Sequence, residues 1–169
     1  MDLTWLNPWL VLAHVVSAIA FVAFHGMSMV VAFRLGSTRD IDGARRLLDL
    51  SARMLGPAYL ALLVLLVSGI VSGIVGAWWT SGRLWIWASL ALLFGIATYM
   101  TFRGSAWFSQ LRGAAGQGYN IRGKQVPAGD ADPARLQTLL ASRGRAWELL
   151  AIGGGGLALI VYLMFTKPF

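Results

Sequence analysis

The chain has 169 residues, of which 57% are hydrophobic and only 12% are charged, and its formal net charge at pH 7 is +7. A soluble domain carries about 25% charged residues, so this composition excludes a soluble monomer. The many aliphatic and aromatic residues also exclude a disordered chain. The absence of cysteine excludes disulfides, thiolate metal sites and iron–sulfur clusters. The length fits one membrane domain, residues 1–169.

Four stretches without Asp, Glu, Lys or Arg dominate the sequence. A hydrocarbon core needs about 20 helical residues to be crossed, and backbone polar groups in lipid must be satisfied within their own segment. We therefore predict an all-α polytopic membrane protein, a four-transmembrane-helix bundle with up-down-up-down topology. The predicted spans are about 8–33, 54–79, 84–102 and 147–166.

The basic residues predict the orientation. Twelve of the 14 Lys and Arg residues lie in the loops 34–53 and 103–146, and basic loops are retained in the cytoplasm. Both termini are therefore expected on the outer, periplasmic side of the plasma (inner) membrane. The first span has no basic segment before it and is too long for a signal peptide, so we expect it in the mature protein. No nucleic-acid partner is expected, because no pattern of a known binding module accompanies the charge.

The two basic loops carry their own local signals. Apolar residues within 41–48 share one helical face and predict a short amphipathic helix that leads into the second span. Residues 103–112 are expected to continue the third span, whereas the glycine-rich stretch 113–132 has the composition of a flexible linker. Asp132 suits an N-cap and Pro133 the first helical position, so a new helix is predicted there.

Small residues mark the second and fourth spans. The second contains Ser68, Gly69, Ser72 and Gly73 in positions that form one stripe, and the fourth contains four successive glycines, 153–156. Such residues let helix backbones approach closely. The glycine run is open to three interpretations: a helix contact, a bend, or space for a flat ligand.

The two histidines, His14 and His25, both lie in the first span. At about 100° per residue they share a helical face, and at 1.5 Å per residue they lie ~16.5 Å apart along the axis. No Asp, Glu, Lys or Arg lies within the four charge-free stretches, and Glu148 lies only at the edge of the fourth span, which argues against a proton-coupled transporter. Nor does any arrangement of carboxylates or nucleophiles point to an enzyme.

Imidazole is a common ligand of metals and of haem iron, so His14 and His25 are candidate cofactor-binding and metal-binding residues. The alternative is a neutral histidine that bonds a carbonyl, Tyr or Ser of another helix. Met27 and Met29 add thioethers, and thioether with imidazole suits Cu(I). However, the two methionines are about 200° apart on a regular helix, which favours core packing. A single haem cannot be held by both histidines.

Short motifs in three spans resemble a known group of proteins. They include Ala13-His14 and Phe21-Val-Ala-Phe-His25-Gly26 in the first span, Leu55-Gly56-Pro57 in the second and Gly82-Arg-Leu-Trp-Ile-Trp-Ala88 at the start of the third. The chain resembles the CopD-like superfamily of four-helix integral membrane proteins, which includes copper-resistance protein D and the HemJ-type protoporphyrinogen oxidases that bind haem b. The resemblance implies a functional role for His14, since these families have a functional histidine early in the first helix. The lysine that opens the third helix of the HemJ type has no counterpart within residues 83–99.

Three functions are consistent with these features. The first is a small redox or cofactor-carrying subunit that binds haem b or a metal through the histidines. The second is a CopD-like copper-handling protein. The third is a non-catalytic accessory subunit that uses its glycine stripes to contact a larger membrane complex. Besides the lipid bilayer, the expected partners are a second copy of the chain or that larger complex.

Overall fold

The computed structural model describes residues 4–79, 83–121 and 123–168, without the side chain of Arg143. Four helical segments within these residues are long and apolar enough to cross a membrane. The predicted all-α four-helix bundle is therefore confirmed, and the protein is a multi-pass membrane protein. The four segments are Thr4–Leu35, Ile41–Val75, Leu84–Ala114 and Gly144–Thr166.

Two of the four segments are interrupted by π-helical turns. One turn, Met100–Gly104, lies in the third segment, and the other, Leu150–Gly154, lies in the fourth. Residues 80–82, between the second and third segments, lie outside the described residues. The elements are α1 (Asn7–Leu35), α2 (Ile41–Val75), α3 (Leu84–Tyr99), α4 (Ser105–Ala114), β1 (Tyr119–Ile121), β2 (Lys124–Val126), α5 (Pro133–Ala141), α6 (Arg143–Leu149) and α7 (Gly155–Thr166).

The helices pack as two pairs that are joined at one end. α1 packs along α2, and α3 packs on α7. The hydrophobic core lies where the end of α1 and the start of α2 meet α4, α5 and α6. Leu35, Leu48 and Leu111 are completely buried there. The two basic loops therefore contribute to a packed cap at this end of the bundle.

α2 begins earlier than the predicted second span. The amphipathic helix predicted within 41–48 is confirmed as the first turns of α2, which runs without interruption from Ile41 through Pro57. The side chain of Asp40 caps its N-terminus by accepting a hydrogen bond from the Gly43 amide at 2.6 Å. Ala44 and Leu48 are fully buried in the cap, so their burial keeps the first turns of α2 helical.

The predicted flexible linker at 113–132 is wrong. This segment contains the antiparallel hairpin β1–β2, with Tyr119 opposite Val126. Gly123 has a φ of 80°, a left-handed conformation that glycine adopts without a steric penalty. The segment is also fixed to the cap, because Arg45 Nε donates to the Ala115 carbonyl at 2.8 Å. Two of its glycines, Gly116 and Gly123, have positive φ angles. The linker prediction rested on the number of glycines alone.

The helix predicted at Asp132 and Pro133 is confirmed as α5. The Asp132 carboxylate accepts a hydrogen bond from the Arg135 amide at 2.9 Å, and Pro133 is the first helical residue. This hydrogen bond satisfies one of the backbone amides that a helix N-terminus leaves without a partner.

Candidate functional site

His14 lies on α1 against the small-residue stripe of α2. Its Nδ1 is 2.8 Å from the carbonyl oxygen of Leu65. A carbonyl can only accept, so Nδ1 carries the proton and Nε2 carries a lone pair. A Cβ atom on Gly69 would be 2.8 Å from the ring, so this position requires glycine. The bond matches the predicted alternative of a carbonyl-bonded histidine, and metal-binding histidines also make such bonds.

His25 faces a different helix from His14. Its ring stacks on Phe21 with a centroid distance of 5.4 Å and an interplanar angle of 14°. Its Nε2 lies 3.6 Å from the position that a Cβ atom would take on Gly153, in the fourth span. The two histidines therefore contact different partners, and one centre cannot use both of them.

Two methionines meet His25 at Gly153. The Cε atom of Met29 lies 2.7 Å from the same Cβ position, and the Cε atom of Met100 is closer still. Met29 follows His25 by one helical turn, whereas Met100 begins the π turn of the third span. Side chains from two spans thus converge on the backbone of a third. We call His25, Met29 and Met100 the His–Met site.

The sulfur atoms also lie beside small residues. Met29 Sδ is 3.7 Å from the Cβ position of Gly154, and Met100 Sδ is 3.5 Å from that of Gly104. Gly104 and Gly153 are both buried. The absence of side chains at these positions gives the thioethers room to lie between the helices.

The π turns meet at this site. Met100 begins the first turn, and Gly153 is part of the second. π-helical turns are rare and occur frequently at functional sites, because the extra residue changes the direction of the following side chains. Here they bring Met100 and the bare backbone of Gly153 together.

An ionic cluster joins the third and fourth spans next to these turns, on the cap side. Glu148 Oε2 lies 2.9 Å from Arg145 Nη1, and Glu148 Oε1 lies 3.4 Å from Arg103 Nη2. The Tyr99 hydroxyl donates to the same carboxylate. Charge-assisted hydrogen bonds are stronger than neutral ones, so Glu148 joins the third span to the fourth beside the His–Met site. Two arginines already neutralise this carboxylate.

Met100 is the residue that sequence reasoning missed. The predicted failure of Met27 and Met29 to converge agrees with the structure, in which Met27 is 36% exposed and Met29 packs on Gly153. Met100 lies at the cap end of the third span, and methionine is common in apolar cores as a flexible side chain. Nothing in the sequence around Met100 distinguishes it from a methionine that only fills the core.

Methyl groups occupy the space beside Gly153, between the first, third and fourth spans. They are the Cε atoms of Met29 and Met100. Two cavities of about 250 and 310 Å³ occur elsewhere, and neither His14 nor His25 lines them. Within the described residues, no three His, Cys, Asp or Glu side chains are close enough to share a metal. A metal at the His–Met site would therefore depend on thioethers.

Comparison with known proteins yields no match to a family model, a curated protein or a solved structure. The resemblance to the CopD-like superfamily therefore stays a prediction. The ligand roles of His14 and His25 stay predictions as well.

Proposed function

We propose that the protein binds one Cu(I) ion within the membrane, through His25 Nε2 and the thioethers of Met29 and Met100. The observation that carries the proposal is the convergence of these side chains on Gly153. Imidazole and thioether are soft ligands that favour Cu(I) over hard cations. A monovalent ion also costs less to bury than a divalent one when no carboxylate compensates its charge.

The proposed role is copper handling by a small cofactor-carrying subunit. The resemblance to the CopD-like superfamily, which includes copper-resistance protein D as well as uncharacterised predicted membrane proteins, supports the same class. The first-span position of His25 and Met29 agrees with the expectation that this helix carries the function. His14 is the candidate for a second copper contact, nearer the N-terminal end of α1. Its Nδ1 bonds the Leu65 carbonyl, which leaves Nε2 as the nitrogen that could bind copper.

The copper proposal is tested on protein purified in detergent. We expect a titration of Cu(I) against a competing chelator to give one bound equivalent per chain, and an absorption spectrum without a Soret band. A Soret band in the purified protein would favour the haem b alternative. The absence of both copper and haem would contradict both and favour the accessory-subunit alternative, in which the chain contacts a larger complex or a second copy.

The proposed orientation places the cap in the cytoplasm and both termini outside. The distribution of Lys and Arg supports it, because the loops rich in these residues form the cap. The chain has no cysteine, so in a single-cysteine variant a thiol reagent labels only the introduced residue. Asn120→Cys, exposed on β1, should react with an impermeant thiol reagent only after the membrane is opened, whereas Asp2→Cys should react in intact cells. The reverse pattern would contradict this orientation.

A further inference from the structure

A groove crosses the boundary between the spans and the cap. Its first part is a cavity of about 250 Å³, lined by residues that include Phe33, Ser37, Trp107 and Trp147. Its second part, of about 310 Å³, shares Ser37 and adds Arg39. The two cavities are adjacent, since Gly36, Ser37 and Leu140 line both.

The first cavity contains a buried donor without an acceptor. Trp107 on α4 is only 7% exposed, and its indole Nε1 has no hydrogen-bond partner among the described residues. An indole N–H can only donate, and a buried donor is usually paired. The hydroxyls of Ser37 and Ser142 in the same cavity donate to the carbonyls of Arg34 and Leu139. The Nε1 donor of Trp107 therefore has no acceptor among the described residues, although the residue lines the cavity.

The two ends of the groove differ in chemistry. At one end Phe33 and Trp147 are exposed and meet edge to face, with centroids 5.1 Å apart. Phe33 is the last residue of the first charge-free stretch, so this end adjoins the hydrocarbon. At the other end the exposed Arg39 provides a positive charge. An amphiphile with an apolar chain and an anionic, oxygen-rich head matches this arrangement.

We propose that the groove binds one anionic phospholipid from the leaflet at the cap end. A phosphate oxygen accepts the Trp107 Nε1 hydrogen bond, the head lies beside Arg39, and an acyl chain runs over Phe33 and Trp147. Basic pockets beside spans bind anionic head groups by this combination of charge and hydrogen bonding. The site is separate from the His–Met site, so it does not depend on copper.

The lipid site is tested by native mass spectrometry of the full chain in detergent. We expect phosphatidylglycerol to be retained in preference to phosphatidylcholine, and diacylglycerol, which lacks the phosphate, to be lost. Trp107→Phe keeps the ring and removes the donor, and it should weaken phosphatidylglycerol binding about tenfold, as expected for a hydrogen bond to a charged group. Trp9→Phe removes an exposed indole on the outer half of α1 and should bind like the wild type.

The comparison of lipids and of Trp107→Phe with the wild type has two outcomes that would overturn the proposal. One is unchanged phosphatidylglycerol binding by Trp107→Phe, and the other is retention of diacylglycerol as strong as that of phosphatidylglycerol. Glycerol phosphate at the same concentration should not displace phosphatidylglycerol. Full displacement would mean that the head group alone is bound and would contradict a lipid ligand. Should Trp107→Phe fail to fold, Arg39→Gln carries the test, because Arg39 is exposed. Loss of the preference over phosphatidylcholine is then expected, and an unchanged preference would overturn the proposal.

Discussion

Gly153→Leu is expected to destabilise the bundle, because the added side chain must displace the ends of Met29 and Met100, whereas Gly155→Leu, two residues later, is expected to leave its stability unchanged. A Cβ atom at Gly153 would overlap the methyl groups of Met29 and Met100, and the Gly155 position has nothing within 4 Å. Overpacking a filled contact costs about 1–3 kcal/mol or more, and a leucine adds three further carbons beyond the Cβ. The expected result is a lower melting temperature and an aggregated chromatographic profile for Gly153→Leu only.

The matched pair separates packing from general effects of leucine in this helix. Both substitutions replace glycine by leucine within the run 153–156, so hydrophobicity and helix propensity change equally. Equal melting temperatures for the two variants would mean that His25, Met29 and Met100 do not meet at Gly153. The His–Met site would then lack its geometric basis.

Removal of any one ligand of the His–Met site is expected to weaken Cu(I) binding by more than about 100-fold. Outer-shell partners of metal ligands already account for 10–100-fold in affinity, and a direct ligand should account for more. Met29→Leu and Met100→Leu nearly conserve side-chain volume, so they remove the thioether while the packing is retained. His25→Ala removes the imidazole. The measurement is competition with a Cu(I) chelator, together with the melting temperature of each apoprotein.

Two control variants make this series decisive. Met27→Leu changes an exposed methionine of the same helix and should bind Cu(I) like the wild type. His14→Ala removes the histidine on the α2 side and should also retain the site at His25. Loss of binding in His14→Ala, with full binding in His25→Ala, would move the centre to His14 and contradict the His–Met site.

The spans were predictable because their signals are local. A charge-free run of sufficient length leaves few alternatives to a membrane helix, and the Asp132–Pro133 pair is a helix start by its own backbone chemistry. The apolar face at the start of α2 was also predictable, but the complete burial of Leu48 was not, because it depends on packing against other helices.

The His–Met site was predictable only in part. Its first-span residues were candidates from the sequence, but the position of Met100 beside them depends on tertiary contacts. Composition identified His14, His25 and the Met27–Met29 pair, but helical geometry could not say which methionine meets a partner. Met100 begins a π turn and packs on Gly153 beside His25, and no periodicity in its apolar span predicts such a turn. The proposed lipid groove was missed for the same reason, since Phe33 and Trp147 are far apart in the chain and meet only in the folded structure.

The most direct test of the copper proposal is X-ray absorption spectroscopy of the wild-type protein loaded with one equivalent of Cu(I). The His–Met site predicts a first coordination shell of one nitrogen and two sulfur atoms, and Met100→Leu should reduce the sulfur count by one. Because the chain has no cysteine, any sulfur in that shell comes from methionine. A shell of nitrogen and oxygen alone, or a protein that takes up no copper, would contradict the account.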